Sequence, residues 1–173
     1  MAEQTENIET ESTEEKKLQN LVQFLSFTLG NEEYGVDILR VQEIRSWEPV
    51  SRIPNVPSYE KGVVNLRGAI VPIIDLRERF GLGHLEYSAL TVVVVLQILT
   101  DAGQARTMGV VVDSVSDVID VDKKTIQDAP NFGTKVSTEF INGLASVKDR
   151  MVMLLDVEKL LKIDALDDED KNT

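Results

Sequence analysis

The 173-residue chain has no cysteine. That excludes disulfides, thiolate metal sites and a cysteine nucleophile together, so the fold must stand on packing alone. It has one histidine, His84, lying between Gly83 and Leu85 without metal-ligand or triad spacing around it. His84 therefore reads as a loop residue with no chemical role. No window is apolar for long enough to span a bilayer, and the opening Met1-Ala2-Glu3-Gln4 leads into acids rather than an apolar stretch. Neither a membrane span nor a secretory signal is expected, and a cytoplasmic location follows. Clusters of Lys and Arg are missing too, which disfavours nucleic acid and direct membrane insertion or binding. Gly81-Leu82-Gly83 lacks the third glycine of a dinucleotide fingerprint and reads as a helix stop. Asp113, Asp117, Asp120 and Asp122 lack the spacing and central glycine of a calcium loop and read as polar positions of a strand and its turn. No cofactor, metal or catalytic residue is expected, and an enzyme is disfavoured.

What is present is acid and β-forming residues. The net charge is −12, but residues 1–17 and residues 163–173 each carry −4 of it. These ends read as disordered acidic tails, 1–20 and 163–173, around a folded middle over 21–162. With 42% hydrophobic residues, that middle can bury a real core.

Leu25, Phe27 and Leu29 alternate as in a strand, and Gly30-Asn31 marks a tight turn. From Tyr34 to Ile44 the apolar residues recur in a way that fits both a strand and a short helical turn. Pro49, Pro54 and Pro57 make Trp47 to Pro57 an irregular surface connection. Ser58 is placed as the cap of a single turn ending at Gly62. Two strands then flank Arg67-Gly68, Asp75 caps a short helix through Phe80, and Val92-Val93-Val94-Val95-Leu96 reads as a buried strand. Asp101 to Gln104 turns the chain into another strand. Short strands separated by turns, without βαβ alternation, argue a barrel or sandwich.

Two stretches repeat in order. Residues 62–76 lie over 143–157 at an offset of 81 without a gap, and residues 35–44 lie over 109–118 at an offset of 74. The match implies a duplicated unit of about five short strands, the first copy over about 24–80 and the second over about 91–161. Glu43 and Arg67 in the first copy correspond to Asp117 and Lys148 in the second, so an acid–base pair is expected within each copy.

Gly62-Val63-Val64-Asn65-Leu66-Arg67-Gly68, followed by Val71-Pro72-Ile73-Ile74-Asp75-Leu76-Arg77, resembles the CheW-like family of bacterial chemotaxis coupling proteins. The resemblance extends through Phe27 to Gly35, Val41-Gln42-Glu43-Ile44-Arg45, Val111-Val112-Asp113 and Arg150-Met151 to Leu161. It implies a mostly β fold of two packed, intertwined five-stranded SH3-like barrels with short helices and a C-terminal helix. It also implies a non-catalytic adaptor, monomeric alone, that links chemoreceptor cytoplasmic tips to the regulatory domain of the histidine kinase CheA in membrane-associated arrays. A scaffold of the same fold serving another motility pathway, such as one based on pili, stays open. The resemblance places Val41, Glu43 and Ile44 on a partner-facing surface with Gly62, Arg67 and Val92 nearby. Gly62 is equally readable as a helix C-cap, and Val92 as plain core.

Overall fold

The computed structural model describes residue 15 and residues 19–82, 86–100, 102–129 and 138–161. His84, Gly83 and the acidic segments 1–14 and 162–173 lie outside these residues. Among the described residues ten strands follow in chain order: β1 (Leu21–Leu29), β2 (Glu32–Asp37), β3 (Val41–Ser46), β4 (Glu60–Leu66), β5 (Ala69–Asp75), β6 (Val92–Leu99), β7 (Ala105–Val112), β8 (Ser114–Asp122), β9 (Ile141–Val147) and β10 (Arg150–Leu155). Helix α1 (Leu76–Arg79) follows β5. Residues 157–161 are helical after β10.

The strands form two five-stranded sheets, β8-β1-β2-β10-β9 and β3-β6-β7-β5-β4. Each sheet takes strands from both halves of the chain. The first two strands of one half pair with the last three of the other, through parallel ladders β2 with β10 and β5 with β7. The chain changes sheet at the 3₁₀ turn Ile38–Arg40 and again at Asp113. That turn resolves the Tyr34-to-Ile44 ambiguity: the segment contains both a helical turn and strands, because Asp37 caps the turn by accepting from Leu39 N.

The two sequence offsets reappear in the registers. Ile73 lies opposite Gly109, and Leu154 opposite Gly35, in the two parallel pairs. The same bulge interrupts β4–β5 at Glu60/Gly62 and β9–β10 at Ile141/Gly143. Isolated bridges Ser51–Val63 and Gln127–Leu144 occupy matching places, and Asp75 N donates to Tyr59 O as Asp156 N does to Phe140 O, both at 2.8 Å. Both hairpin tips also match. Arg67 and Gly68 have φ of 53° and 88°, and Lys148 and Asp149 have 49° and 64°, the positive pair that suits the right-handed twist of two-residue hairpins.

Three apolar clusters lie among the described residues. One lies along Phe24, Ile119, Val121, Ala145, Val152 and Leu154 of the first sheet, and a second along Val71, Ile73, Val93, Val95 and Val111 of the other. The largest joins the sheets, with Leu25, Phe27 and Leu29 of β1 meeting Val94, Leu96 and Ile98 of β6. Strand β6 thus feeds one cluster from each face, which is why its sequence reads as a continuous apolar run rather than an alternation. Each such side chain contributes about 1.5–3 kcal/mol by leaving water.

Gly62 corrects the sequence expectation. It ends no helical turn but lies inside β4, with φ of 143°. The ladder to β5 and the bridge from Ser51, with Val63 N donating to Ser51 O at 2.9 Å, outweigh any local turn capped by Ser58. Gly81, with φ of 69°, ends α1 as read, its amide donating to Glu78 O. Among the described residues no group of three or more His, Asp or Glu is placed to hold a metal ion, and no helix is long and apolar enough to cross a membrane. Asp120 instead accepts from Gln23 Nε2, and Asp122 caps the 3₁₀ turn Lys123–Thr125.

Candidate partner-binding surface

Strand β3 is an edge strand, paired among the described residues only with β6. A bulge between Val41 and Glu43 breaks its alternation. Val41 packs on the inter-sheet cluster while Ile44 is left 44% exposed. Glu43 lies between two cations, 3.2 Å from Arg67 Nη2 and 3.7 Å from Arg45 Nε. Arg67 reaches it from the β4–β5 tip, where its side chain is otherwise almost wholly exposed. The tip conformation, locked by Asn65 Oδ1 accepting from Gly68 N at 2.9 Å, aims that side chain. Val92 opens β6 opposite Ser46 and packs on the inter-sheet cluster like Val41. Gly62 is buried and meets Ser51 instead, so it can affect a partner only through the backbone.

The expected second pair does not form. Among the described residues Asp117 and Lys148 make no ion pair; Asp117 is one methylene shorter than Glu43, and both groups are exposed to competing solvent. Among the described residues the cation of that hairpin that does pair is Arg150, which reaches across the parallel ladder to Glu33 at 3.3 Å. The Glu43–Arg67 pair has an exposed partner, so Arg67→Ala should change stability by less than about 1 kcal/mol, checked by urea unfolding.

A buried charge network escaped the sequence reading. Arg77 is 1% exposed. Its Nε and Nη2 donate to the two oxygens of Asp75 at 2.9 and 2.8 Å, and its Nη1 donates to Asp113 Oδ1 at 3.1 Å. Asp113 Oδ2 accepts from Gly30 N at 2.7 Å, tying in the β1–β2 turn of the opposite sheet. The guanidinium also lies 4.9 Å over the Tyr87 ring, which stacks on Trp47 at 4.3 Å and 6°. Hydrogen bonding to Asp75 is the first cause that raises the Arg77 pKa, so the charge is permanent. The one available signal was Asp75 and Arg77 two residues apart across a helix start. Nothing local marks Asp113 or Tyr87 as their partners.

Burial pushes the Tyr87 hydroxyl up to about 12, with the Asp75 charge adding to it. Burial likewise raises Tyr34 to about 12. Both phenols hold their protons longer folded than unfolded, where the pKa is about 10. Tyr34, 1% exposed, stabilises the fold fully below pH of about 10, and that contribution is lost as pH rises from there to about 12; Tyr87, 38% exposed, adds a smaller share because solvent screens it. A urea midpoint flat through neutral pH and falling over that alkaline window is the expected result.

The CheW-like domain family matches residues 23–165. The chain belongs to that family. It is 52% identical over 139 residues to the chemotaxis protein CheW of Klebsiella aerogenes, covering 80% of this chain and 81% of that protein. The corresponding protein of Bacillus subtilis is 30% identical over 135 residues, covering 78% and 83%. The crystal structure of the scaffolding protein TtCheW from Thermoanaerobacter tengcongensis aligns with a TM-score of 0.72 at 34% identity, covering 80% of this chain and 86% of that one. The family places the chain among the scaffold proteins of chemotaxis, consistent with an adaptor rather than an enzyme.

Proposed function

We propose that the protein is a non-catalytic adaptor that couples chemoreceptor cytoplasmic tips to the regulatory domain of the histidine kinase CheA, controlling motility from membrane-associated arrays. It acts from the cytoplasm and is monomeric on its own. The observation that carries this reading is the β3 edge, where Glu43 sits between Arg45 and Arg67 beside the exposed Ile44. An apolar side chain rimmed by oriented charges suits a small protein interface, in which avidity within an array supplies the remaining affinity. Val41, Glu43, Ile44 and Arg67 form the contact, with Gly62 and Val92 acting through the backbone and core packing around it.

Co-sedimentation with a receptor cytoplasmic fragment and the kinase tests it. Wild-type protein should raise receptor-controlled kinase activity, and Arg67→His, mostly neutral at pH 7, should weaken complex formation by about tenfold. Kinase activity unchanged on adding wild-type protein refutes the coupling assignment.

A further inference from the structure

The duplicated architecture offers an internal control for the Arg77 network. At the matching offsets, Asp75 becomes Asp156, but Arg77 becomes Glu158, Asp113 becomes Leu39 and Trp47 becomes Val121. In that half the crossover turn is held by Arg40 pairing with Glu158 at a partly exposed site, and Leu39 is 87% exposed. The chain therefore makes the same crossover without any buried guanidinium. A buried, multiply bonded charge is not a cheap way to gain stability, since well-packed apolar groups often do as well. Its presence in one half alone calls for a role beyond holding the crossover.

That half is the one in which Trp47 directly follows the end of β3. The indole follows Ser46 directly, its backbone N–H donates to Thr91 O at 3.1 Å, and its ring packs on the cluster under β4, β5 and β6. Tyr87 holds the ring from outside the strands, and Tyr87 is in turn held by Asp75, through its hydroxyl at 3.3 Å, and by the Arg77 guanidinium. Among the described residues β3 has one hydrogen-bonded neighbour, so beyond its ladder to β6 the packing of the Trp47 ring is a second hold on its far end.

We infer that Arg77 is a positioning residue for the β3 docking edge, acting through Tyr87 on Trp47. It never touches a partner; it fixes the end of the strand that carries Glu43 and Ile44, and through Asp113 it locks that end to the β1–β2 turn of the other sheet. This rests on the adaptor reading for its consequence but not for its geometry.

Trp47 is the single tryptophan of the chain, so its emission reports the stack directly. The full chain is compared as wild type, Arg77→Lys, Tyr87→Leu and Tyr87→Phe, each by tryptophan emission, urea midpoint and co-sedimentation with the receptor fragment. Arg77→Lys keeps the charge but loses the planar contact, and Tyr87→Leu removes the stacked ring. Both should shift Trp47 emission in the folded protein and weaken binding by about 3- to 10-fold. Tyr87→Phe restores the ring without the hydroxyl and should return emission and binding most of the way to wild type. If the midpoints of Arg77→Lys and Tyr87→Leu fall while folded-state emission and binding hold, Arg77 is structural only and the inference is overturned. If wild-type protein fails to bind the fragment, the adaptor reading fails, while emission alone still decides whether Arg77 sets the end of β3.

Discussion

Gly62→Ala is expected to cost about 3–5 kcal/mol, a large share of the stability of a domain this size. Two independent faults arise at once. A Cβ at residue 62 would stand 2.0 Å from Ser51 O and 2.7 Å from its carbonyl carbon, both backbone atoms that cannot rotate aside. The φ of 143° is also a conformation open in practice only to glycine. Relief requires the Ser51 segment to move away, which breaks both hydrogen bonds between Ser51 and Val63. Gly68→Ala is the comparison. Its φ of 88° is strained, yet nothing lies within 4 Å of an added Cβ, so only about 1 kcal/mol should be lost. The two urea midpoints measured together separate steric contact from backbone strain. Equal losses would show that the approach of Ser51 is not what requires glycine.

Asp75→Ala should be nearly as damaging, by about 3–5 kcal/mol. The carboxylate is 1% exposed and serves four donors: Arg77 Nε, Arg77 Nη2, the Arg77 amide at the start of α1, and the Tyr87 hydroxyl. Without it a buried guanidinium keeps Asp113 alone as its anionic partner, and a charge left undercompensated in the interior costs far more than the net worth of the pair. Asp156→Ala supplies the matched control. Asp156 also caps its helical turn, accepting from Lys159 N at 3.0 Å, but no buried cation depends on it. Its loss should cost only the cap, about 1 kcal/mol. Similar denaturation midpoints for the two variants would mean that Arg77 is not held as the geometry requires.

These two effects also differ in how far the sequence announces them. Gly62 and its copy Gly143 fall at the same place in an ungapped repeat, so a backbone requirement there is readable without coordinates, although its form is not. The helix-cap reading failed because a glycine after a short apolar stretch has the same local pattern whether it ends a turn or admits a neighbouring strand. The Asp75 cap was readable for the same local reason that caps usually are: the bond runs to an amide two residues on. The burial of Arg77 was not, because its second carboxylate lies 36 residues away and the ring beneath it ten.

Glu43 and Arg67 were paired correctly from the repeat, and Asp117 and Lys148 were not. The repeat preserves where a residue sits in the fold, but an ion pair depends on side-chain reach and solvent, which a shared position does not fix.

Composition, alternation and self-similarity by themselves determined the mostly β class, the hairpin tips at Arg67-Gly68 and Lys148-Asp149, the buried run of β6 and the duplication. Each is set by contacts within a few residues or by repetition of the same local code. The family resemblance implied intertwined barrels, but only the tertiary structure decided which strands the halves exchange, so that each sheet is completed by the other half. It alone placed Arg77 in the interior between Asp75 and Asp113. The physical reason is the same in both cases. Which strand edge a strand joins, and which distant carboxylate meets a buried cation, depend on long-range pairing that short windows of sequence do not encode.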